Sequence, residues 1–152
     1  MPNYKKHLLG GLVTYAGVLY AMSKHNPSPL IAAQWLVCCL IGSLFPDIDT
    51  KSKIQKILYI ALLVIFITLC IQNKIKLLMI VSILGTLPLI VNHRGLFHNI
   101  WFIMLMNLTI LVVTTIFSPN NFHFVLHNII FFIAGTISHL WLDLGLKRML
   151  RI

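Results

Sequence analysis

Long apolar runs separated by short polar breaks are the feature that most restricts what this chain can fold into. Six such runs occupy about residues 7–22, 29–45, 56–72, 75–91, 98–117 and 123–146. The breaks between them are rich in Pro and Asn, which favour turns. Hydrophobic residues make up 59% of the 152 residues and charged residues 10%, against about 25% charged in ordinary soluble domains. The pattern predicts an all-α, polytopic membrane helix bundle of about six helices.

The layout of the chain predicts one membrane-embedded domain over residues 1–152, since no internal repeat, linker or low-complexity tail interrupts the runs. Lys5 and Lys6 precede the first run as in a signal peptide, but no small-x-small cleavage site follows, so we expect a retained helix. The net charge of +9 does not indicate nucleic-acid binding, because the basic residues flank apolar runs and form no stripe with interleaved aromatics. The three cysteines lack zinc-type spacing and are expected to be apolar fillers.

The placement of basic residues predicts the orientation of the bundle. If all six runs span, nine of the 12 Lys and Arg residues fall on one side of the membrane: Lys5, Lys6, Lys51, Lys53, Lys56, Arg94, Lys147, Arg148 and Arg151. Lys24, Lys74 and Lys76 fall on the other side. Because cytoplasmic loops carry the excess of Lys and Arg, we expect a multi-pass protein of the bacterial inner membrane with both termini in the cytoplasm.

Carboxylates are rare in this chain, and their placement indicates a site. The three acidic residues are Asp47, Asp49 and Asp143. In the six-span layout all of them fall on the cytoplasmic side, together with four of the seven histidines: His7, His93, His98 and His139. A central Asp costs about 2.5–3.5 kcal/mol on membrane-insertion scales, so a neutralising cation is expected.

The spacing of these residues suits a divalent metal ion. His139 and Asp143 are four residues apart and share one helix face, and Asp47 and Asp49 flank a single residue at a helix end. Carboxylate oxygen and neutral imidazole nitrogen together suit zinc, manganese or iron. We predict one or two ions, with zinc first and manganese as the alternative. The predicted metal ligands are His7, Asp47, Asp49, His98, His139 and Asp143.

Three motifs of this chain resemble those of one known family. They are PDIDT followed by Ser52, His-Arg-Gly-x-x-His at residues 93–98, and His-x-x-x-Asp in the last apolar run. With His7 before a glycine-containing helix, they are similar to the YdjM-like family of small bacterial inner-membrane proteins, which are described as metal-dependent hydrolases. The resemblance covers most of the chain, although Asn99 stands where the family usually has Ser or Thr. The family is distantly similar to zinc-dependent phospholipase C, which implies phosphoester hydrolysis on a helical scaffold.

The same residues support that chemistry when each is considered separately. A metal ion held by His and Asp with an open position activates water as a nucleophile. The planar guanidinium of Arg94 suits a phosphate, and a histidine that is not a ligand, here His93, is assigned to protonate the leaving oxygen. The expected partners are membrane lipid and a lipid or lipid-linked phosphoester substrate, and not nucleic acid.

Other interpretations of these residues remain open. Asp47 and Asp49 also suit a helix-end cap paired with lysines of the same loop, and Asp143 suits a pair with Lys147 at i,i+4. The alternative functions are a metal-ion or proton transporter, and a regulatory or scaffold membrane protein with a structural metal site. A transporter should carry polar residues through the bilayer midplane, whereas segments 59–71 and 103–116 are nearly all apolar apart from hydroxyls. The sequence therefore favours a site on one side of the membrane.

Overall fold

The computed structural model describes residues 4–22, 26–49, 53–90 and 96–145. Six α-helices account for most of them: α1 (Tyr4–Ala21), α2 (Pro29–Leu44), α3 (Lys53–Ile71), α4 (Ile75–Ile90), α5 (Ile100–Phe117) and α6 (Phe122–Leu144). Short 3₁₀ helices follow α2 (Phe45–Asp49) and precede α5 (Leu96–His98) and α6 (Pro119–Asn121). No strand occurs in these four ranges, and the predicted all-α fold with about six helices is confirmed.

The helices fall into two compact units. Met1–Pro46 and Phe97–Ile152 form the first unit, which contains α1, α2, α5 and α6, and Asp47–Leu96 form the second, which contains α3 and α4. The boundary passes between Pro46 and Asp47, inside the 3₁₀ helix that continues α2. The prediction of a single domain over residues 1–152 stays a prediction.

Three helical segments in the described ranges are long and apolar enough to cross a membrane: Pro29–Ile48, Ile100–Phe117 and Pro119–Leu144. A shorter apolar helix covers Gln55–Ile71. Large apolar side chains on the three long segments are exposed, which is the surface expected of helices that contact lipid. The chain is therefore a helical membrane protein, whereas the predicted number of spans and the predicted orientation stay predictions.

Glycines bring α2 and α6 into backbone contact. A Cβ at Gly42 would collide with the carbonyl group of Phe132, and a Cβ at Gly135 would collide with that of Cys39. Small residues allow this close approach in membranes, where helices associate by packing and not by the hydrophobic effect. The Thr136 hydroxyl then reaches α2 and donates a hydrogen bond to the Gly42 carbonyl oxygen, 3.1 Å away. These contacts fix the C-terminal end of α2 against the second half of α6.

Two further glycines seat α1 against the same pair of helices. A Cβ at Gly10 would lie 2.7 Å from Ser138 Oγ of α6, and a Cβ at Gly11 would lie 2.7 Å from Ser43 Oγ of α2. Neither position has room for a larger side chain without movement of its neighbour. The N-terminal turns of α1, which carry His7, are therefore held beside the last turns of α2 and α6.

Polar N-caps set where two of these helices begin. Asn99 Oδ1 accepts hydrogen bonds from the backbone N–H groups of Trp101 at 2.9 Å and Phe102 at 3.3 Å, so Asn99 is the N-cap of α5. Ser28 caps α2 in the same way. Asn99, which stands where the similar family usually has Ser or Thr, thus caps α5 and places His98 immediately before the cap.

The second unit is a helical hairpin. A turn in which Asn73 has a φ of 53° joins α3 to α4, and Asn tolerates this left-handed conformation better than most residues. The Tyr59 hydroxyl of α3 donates to the Gly85 carbonyl oxygen of α4 at 3.1 Å. Many of the large apolar side chains described on α3 are exposed, as on the long helices of the first unit.

Candidate metal site

Four of the polar residues singled out in the sequence collect where helix ends of the first unit meet. His7 lies in the first turns of α1. His98 directly precedes the cap of α5, and His139 and Asp143 lie in the last two turns of α6. The starts of α1 and α5 and the ends of α2 and α6 come together, as the alternating directions of successive helices predict.

Asp143 is the centre of this group. His7 Nε2 lies 3.4 Å from Asp143 Oδ1, while His139 Nε2 and His98 Nε2 lie 3.6 Å and 4.0 Å from Oδ2. All four side chains are buried, with no more than 3% of any of them exposed. Burying a carboxylate costs several kcal/mol unless opposite charge and hydrogen bonds compensate for the lost water. The group is therefore built around one buried carboxylate that three imidazole rings approach.

The three imidazole rings pack against one another. The rings of His7 and His139 stack with their centroids 3.9 Å apart and 21° between their planes. The ring of His98 meets that of His139 edge to face, with centroids 5.7 Å apart. Each ring presents Nε2 to the carboxylate, so the same atom of all three is available for the same role.

A backbone carbonyl orients His139. Its Nδ1 lies 2.7 Å from the carbonyl oxygen of Ser43 in α2, and both residues are fully buried. Because a carbonyl oxygen only accepts, the proton must be on Nδ1, and Nε2 is left as the electron-pair donor. Histidines that bind metals commonly donate their second ring N–H to a carbonyl or carboxylate in this way. The hydrogen bond prepares His139 to act as an Nε2 ligand.

Three residues of the first unit offer atoms that are close enough to share one ion. One ligand atom each from His98, His139 and Asp143 lies within 4.8 Å of the others. At metal–ligand distances of about 2.0–2.2 Å, two donors on opposite sides of an ion are roughly 4 Å apart, so small side-chain adjustments suffice. Asp143 Oδ1 is buried and makes no hydrogen bond within the described ranges, although buried polar atoms normally have a partner. The described group can therefore hold a metal ion.

Some of the predicted site residues lie outside the described part of the chain. The backbone of Asp49 ends the 3₁₀ helix after α2, but its side chain is not among those described. His93 and Arg94 lie in the undescribed stretch 91–95. Asp47 lies one residue past Pro46, in the second unit. The assignment of Asp47 and Asp49 as ligands and of His93 and Arg94 as catalytic residues stays a prediction. His7 contacts Asp143 beside the three-residue group.

Sequence reasoning missed the aromatic residues that support the site. The ring of Phe45 meets those of Phe97 and Phe132 edge to face, with centroids 5.4 Å and 5.2 Å apart. Phe97 directly precedes His98, and Phe45 stands two residues before Asp47. The contact between these rings fixes the end of α2 beside the segment that carries His98. Phe45 directly before PDIDT and Phe97 directly before His98 are the signals that could have revealed them.

Comparison with known proteins agrees with this description. The sequence matches the model of the YdjM inner membrane protein family over residues 1–148. No curated protein and no solved structure matches the chain. The chain belongs to the YdjM inner membrane protein family, which confirms the resemblance seen in its motifs and indicates an inner-membrane location.

Proposed function

We propose that this protein is a membrane-embedded metal-dependent hydrolase that cleaves a phosphoester in a lipid or lipid-linked substrate. The observation that carries the proposal is the buried group in which His7, His98 and His139 surround Asp143. Ionisable side chains at the ends of apolar helices are costly, and in membrane proteins they mark functional sites by default. Zinc is the proposed ion, with manganese as the alternative, because mixed imidazole and carboxylate sets suit both.

The described residues would have different roles at such a site. His98, His139 and Asp143 would hold the ion, with Asp47 as a further ligand predicted from the sequence. When bound, the ion supplies Lewis acidity and a water activated as a nucleophile near neutral pH. The Ser43 carbonyl fixes the ring of His139. His7 contacts the Asp143 oxygen opposite the one that faces the other two histidines, and so keeps the carboxylate turned towards them.

The position of the group supports a lipid substrate. It lies at the ends of helices that are long enough to cross a membrane, which is where lipid head groups sit. A groove of about 330 Å³ with a mainly apolar lining is formed by residues of α2, α5 and α6 and by Phe45, which follows α2. A lipid with one hydrocarbon chain in this groove would have its head group at the end of α2, beside Phe45.

Arg94 and His93 are proposed to act on the phosphate, on the strength of the sequence. The guanidinium of Arg94 would bind two phosphate oxygens and stabilise the negative charge that develops on them. His93 would donate a proton to the leaving oxygen. The Lys-rich stretch after Asp49 would attract anionic head groups, with each Lys contributing up to about 1 kcal/mol near the surface.

A polar cluster deeper in the first unit favours a second candidate, a metal-ion or proton transporter. Gln34 Nε2 donates to Asn128 Oδ1 at 3.1 Å, and Cys38 Sγ lies 3.5 Å from the same oxygen. Asn107 is buried in α5 and donates to the Ile103 carbonyl oxygen at 2.8 Å. None of these side chains carries a charge, and each makes a hydrogen bond within the protein. We therefore place the transporter second to the hydrolase.

Release of phosphate or of a head group from defined lipids tests the hydrolase. Full-length protein in detergent micelles, loaded with zinc or manganese, should release product from at least one member of a panel of anionic phospholipids and lipid-linked sugar phosphates. Protein treated with a chelator is the blank. If metal-loaded protein releases nothing from any lipid, nucleotide or lipid-linked sugar phosphate, the hydrolase proposal fails. Metal uptake by vesicles containing the protein would then support the transporter.

Replacing Arg94 with Lys separates phosphate binding from metal binding. Arg94→Lys keeps the positive charge but loses the bidentate fork, so we expect turnover to fall by about 10–100-fold with metal content unchanged. Turnover and bound metal are measured on the same purified sample. Lys74→Gln, which changes an exposed lysine in the described turn before α4, is the matched surface control. Unchanged turnover in Arg94→Lys would remove Arg94 from the proposed mechanism.

A further inference from the structure

Two neighbouring carbonyl groups in the last turn of α2 accept hydrogen bonds from α6. The last carbonyls of any helix lack regular intrahelical donors, and Pro46, which follows α2, has no N–H to offer to Gly42 at i+4 or to Ser43 at i+3. The Thr136 hydroxyl donates to the Gly42 oxygen at 3.1 Å, and His139 Nδ1 donates to the Ser43 oxygen at 2.7 Å. The two donors are three residues apart in α6 and so share one helix face.

We propose that Thr136 and Pro46 are positioning residues that fix the tautomer of His139. Pro46 offers no N–H to either carbonyl, and the Thr136 hydroxyl holds the end of α2 where the Ser43 oxygen accepts the Nδ1 proton of His139. His139 Nε2 then faces Asp143, 3.6 Å from Oδ2. The inference deepens the proposed function and rests on its metal site, but the tautomer of His139 is a property of the metal-free protein as well.

The hydroxyl of Thr136 is well placed for this role. The residue is fully buried, and its Oγ1 lies 3.0 Å from the Phe132 carbonyl oxygen of its own helix as well as 3.1 Å from that of Gly42. Threonine has two common rotamers in a helix, and in the one adopted here the single hydroxyl proton is shared between the Phe132 and Gly42 oxygens. The Gly42 oxygen also accepts the Phe45 N–H within its own segment. The Thr136 bond therefore holds α2 sideways against α6, next to the bond of His139 to Ser43.

Substitution of Thr136 tests the proposal by two measurements. Thr136→Val removes the hydroxyl and keeps the branched shape, whereas Thr136→Ser keeps the hydroxyl. In chelator-treated protein, ¹⁵N NMR should show His139 with its proton on Nδ1 in the wild type and in Thr136→Ser, and a mixture of tautomers in Thr136→Val. Competition with a chelating dye should show zinc binding about 10–100-fold weaker in Thr136→Val and within about 3-fold of wild type in Thr136→Ser. Thr109→Val, at an exposed threonine of α5 that bonds only within its helix, is the matched control.

The outcomes separate this inference from the proposed function. A Thr136→Val protein that keeps the Nδ1 proton and full zinc affinity overturns the inference, and so does a Thr136→Ser protein that behaves like Thr136→Val. If Thr136→Val does not fold, Thr136→Ala and Pro46→Ala make the same comparison, and we expect both to mix the tautomers. If wild-type protein binds no zinc, the proposed function fails, while the tautomer measurement still decides the role of Thr136. If zinc binds without hydrolysis, both measurements on Thr136 remain decisive.

Discussion

Asp143→Asn should lower zinc affinity more than 100-fold and abolish hydrolysis with it. The substitution keeps the size of the side chain but removes the charge that three imidazole rings face within 4.0 Å. Loss of residues that only orient ligands costs about 10–100-fold in metal affinity, so the loss of the central carboxylate should cost more. Bound metal per protein and phosphate release, measured on one preparation, check the expectation.

A histidine elsewhere on α6 gives the control for Asp143. His123 is exposed in the first turn of the helix, far along the sequence from His139. His123→Gln should bind zinc and turn over substrate like the wild type. If Asp143→Asn retains a full complement of tightly bound zinc while His123→Gln loses it, the metal site lies elsewhere and the assignment of the buried group is wrong.

The helices could be predicted because the lipid environment leaves a clear pattern in the sequence. An apolar run between turn-forming residues defines each helix, and the structure begins and ends the six helices within a few residues of those runs. The shared end of His7, His98, His139 and Asp143 followed from alternating helix directions alone. The pairing of His139 with Asp143 followed from their spacing of four residues.

The contacts that complete the site could not be predicted, because they join residues far apart in the chain. The bonds of Thr136 to Gly42 and of His139 to Ser43 span 94 and 96 residues. Hydrophobic periodicity in the sequence does not indicate which carbonyl of one helix faces which side chain of another. Asn107 was missed for a different reason. Segment 103–116 is nearly all apolar apart from its hydroxyls, but it also contains this buried amide, which donates a hydrogen bond to the Ile103 carbonyl oxygen of the same helix.

The motif PDIDT combines two functions that the sequence showed only in part. Its two carboxylates stood out because the chain has so few, and their assignment as metal ligands stays a prediction. The role of Pro46 could be inferred only from the structure. Proline has no N–H to donate to the carbonyls of Gly42 and Ser43, and Thr136 and His139 of α6 donate to these carbonyls. The segment thus carries two carboxylates and begins with a proline that offers no N–H to the carbonyls at the end of α2.

Gly135→Ala should destabilise the protein by more than the 1–3 kcal/mol or so typical of an overpacked core. The added Cβ would collide with the carbonyl group of Cys39 and lie 2.9 Å from the backbone nitrogen of Ser43, and backbone atoms cannot rotate away as a side chain can. Since Ser43 also orients His139, a forced separation of α2 and α6 should weaken zinc binding together with stability. Unfolding in mixed detergent micelles and zinc competition measure the two effects.

Gly17→Ala is the matched control, because the same methyl group added there meets no atom within 4 Å. This glycine lies in the middle of α1, where alanine is favoured over glycine by about 0.5–1 kcal/mol, so the variant should be as stable as the wild type or slightly more stable. Its zinc affinity should not change, because the site lies at the start of α1. Equal stability of the Gly135→Ala and Gly17→Ala proteins would mean that α2 and α6 are not in backbone contact. If Gly135→Ala loses stability but keeps its zinc affinity, the metal site does not depend on that backbone contact. The position of α2 then does not determine the orientation of His139.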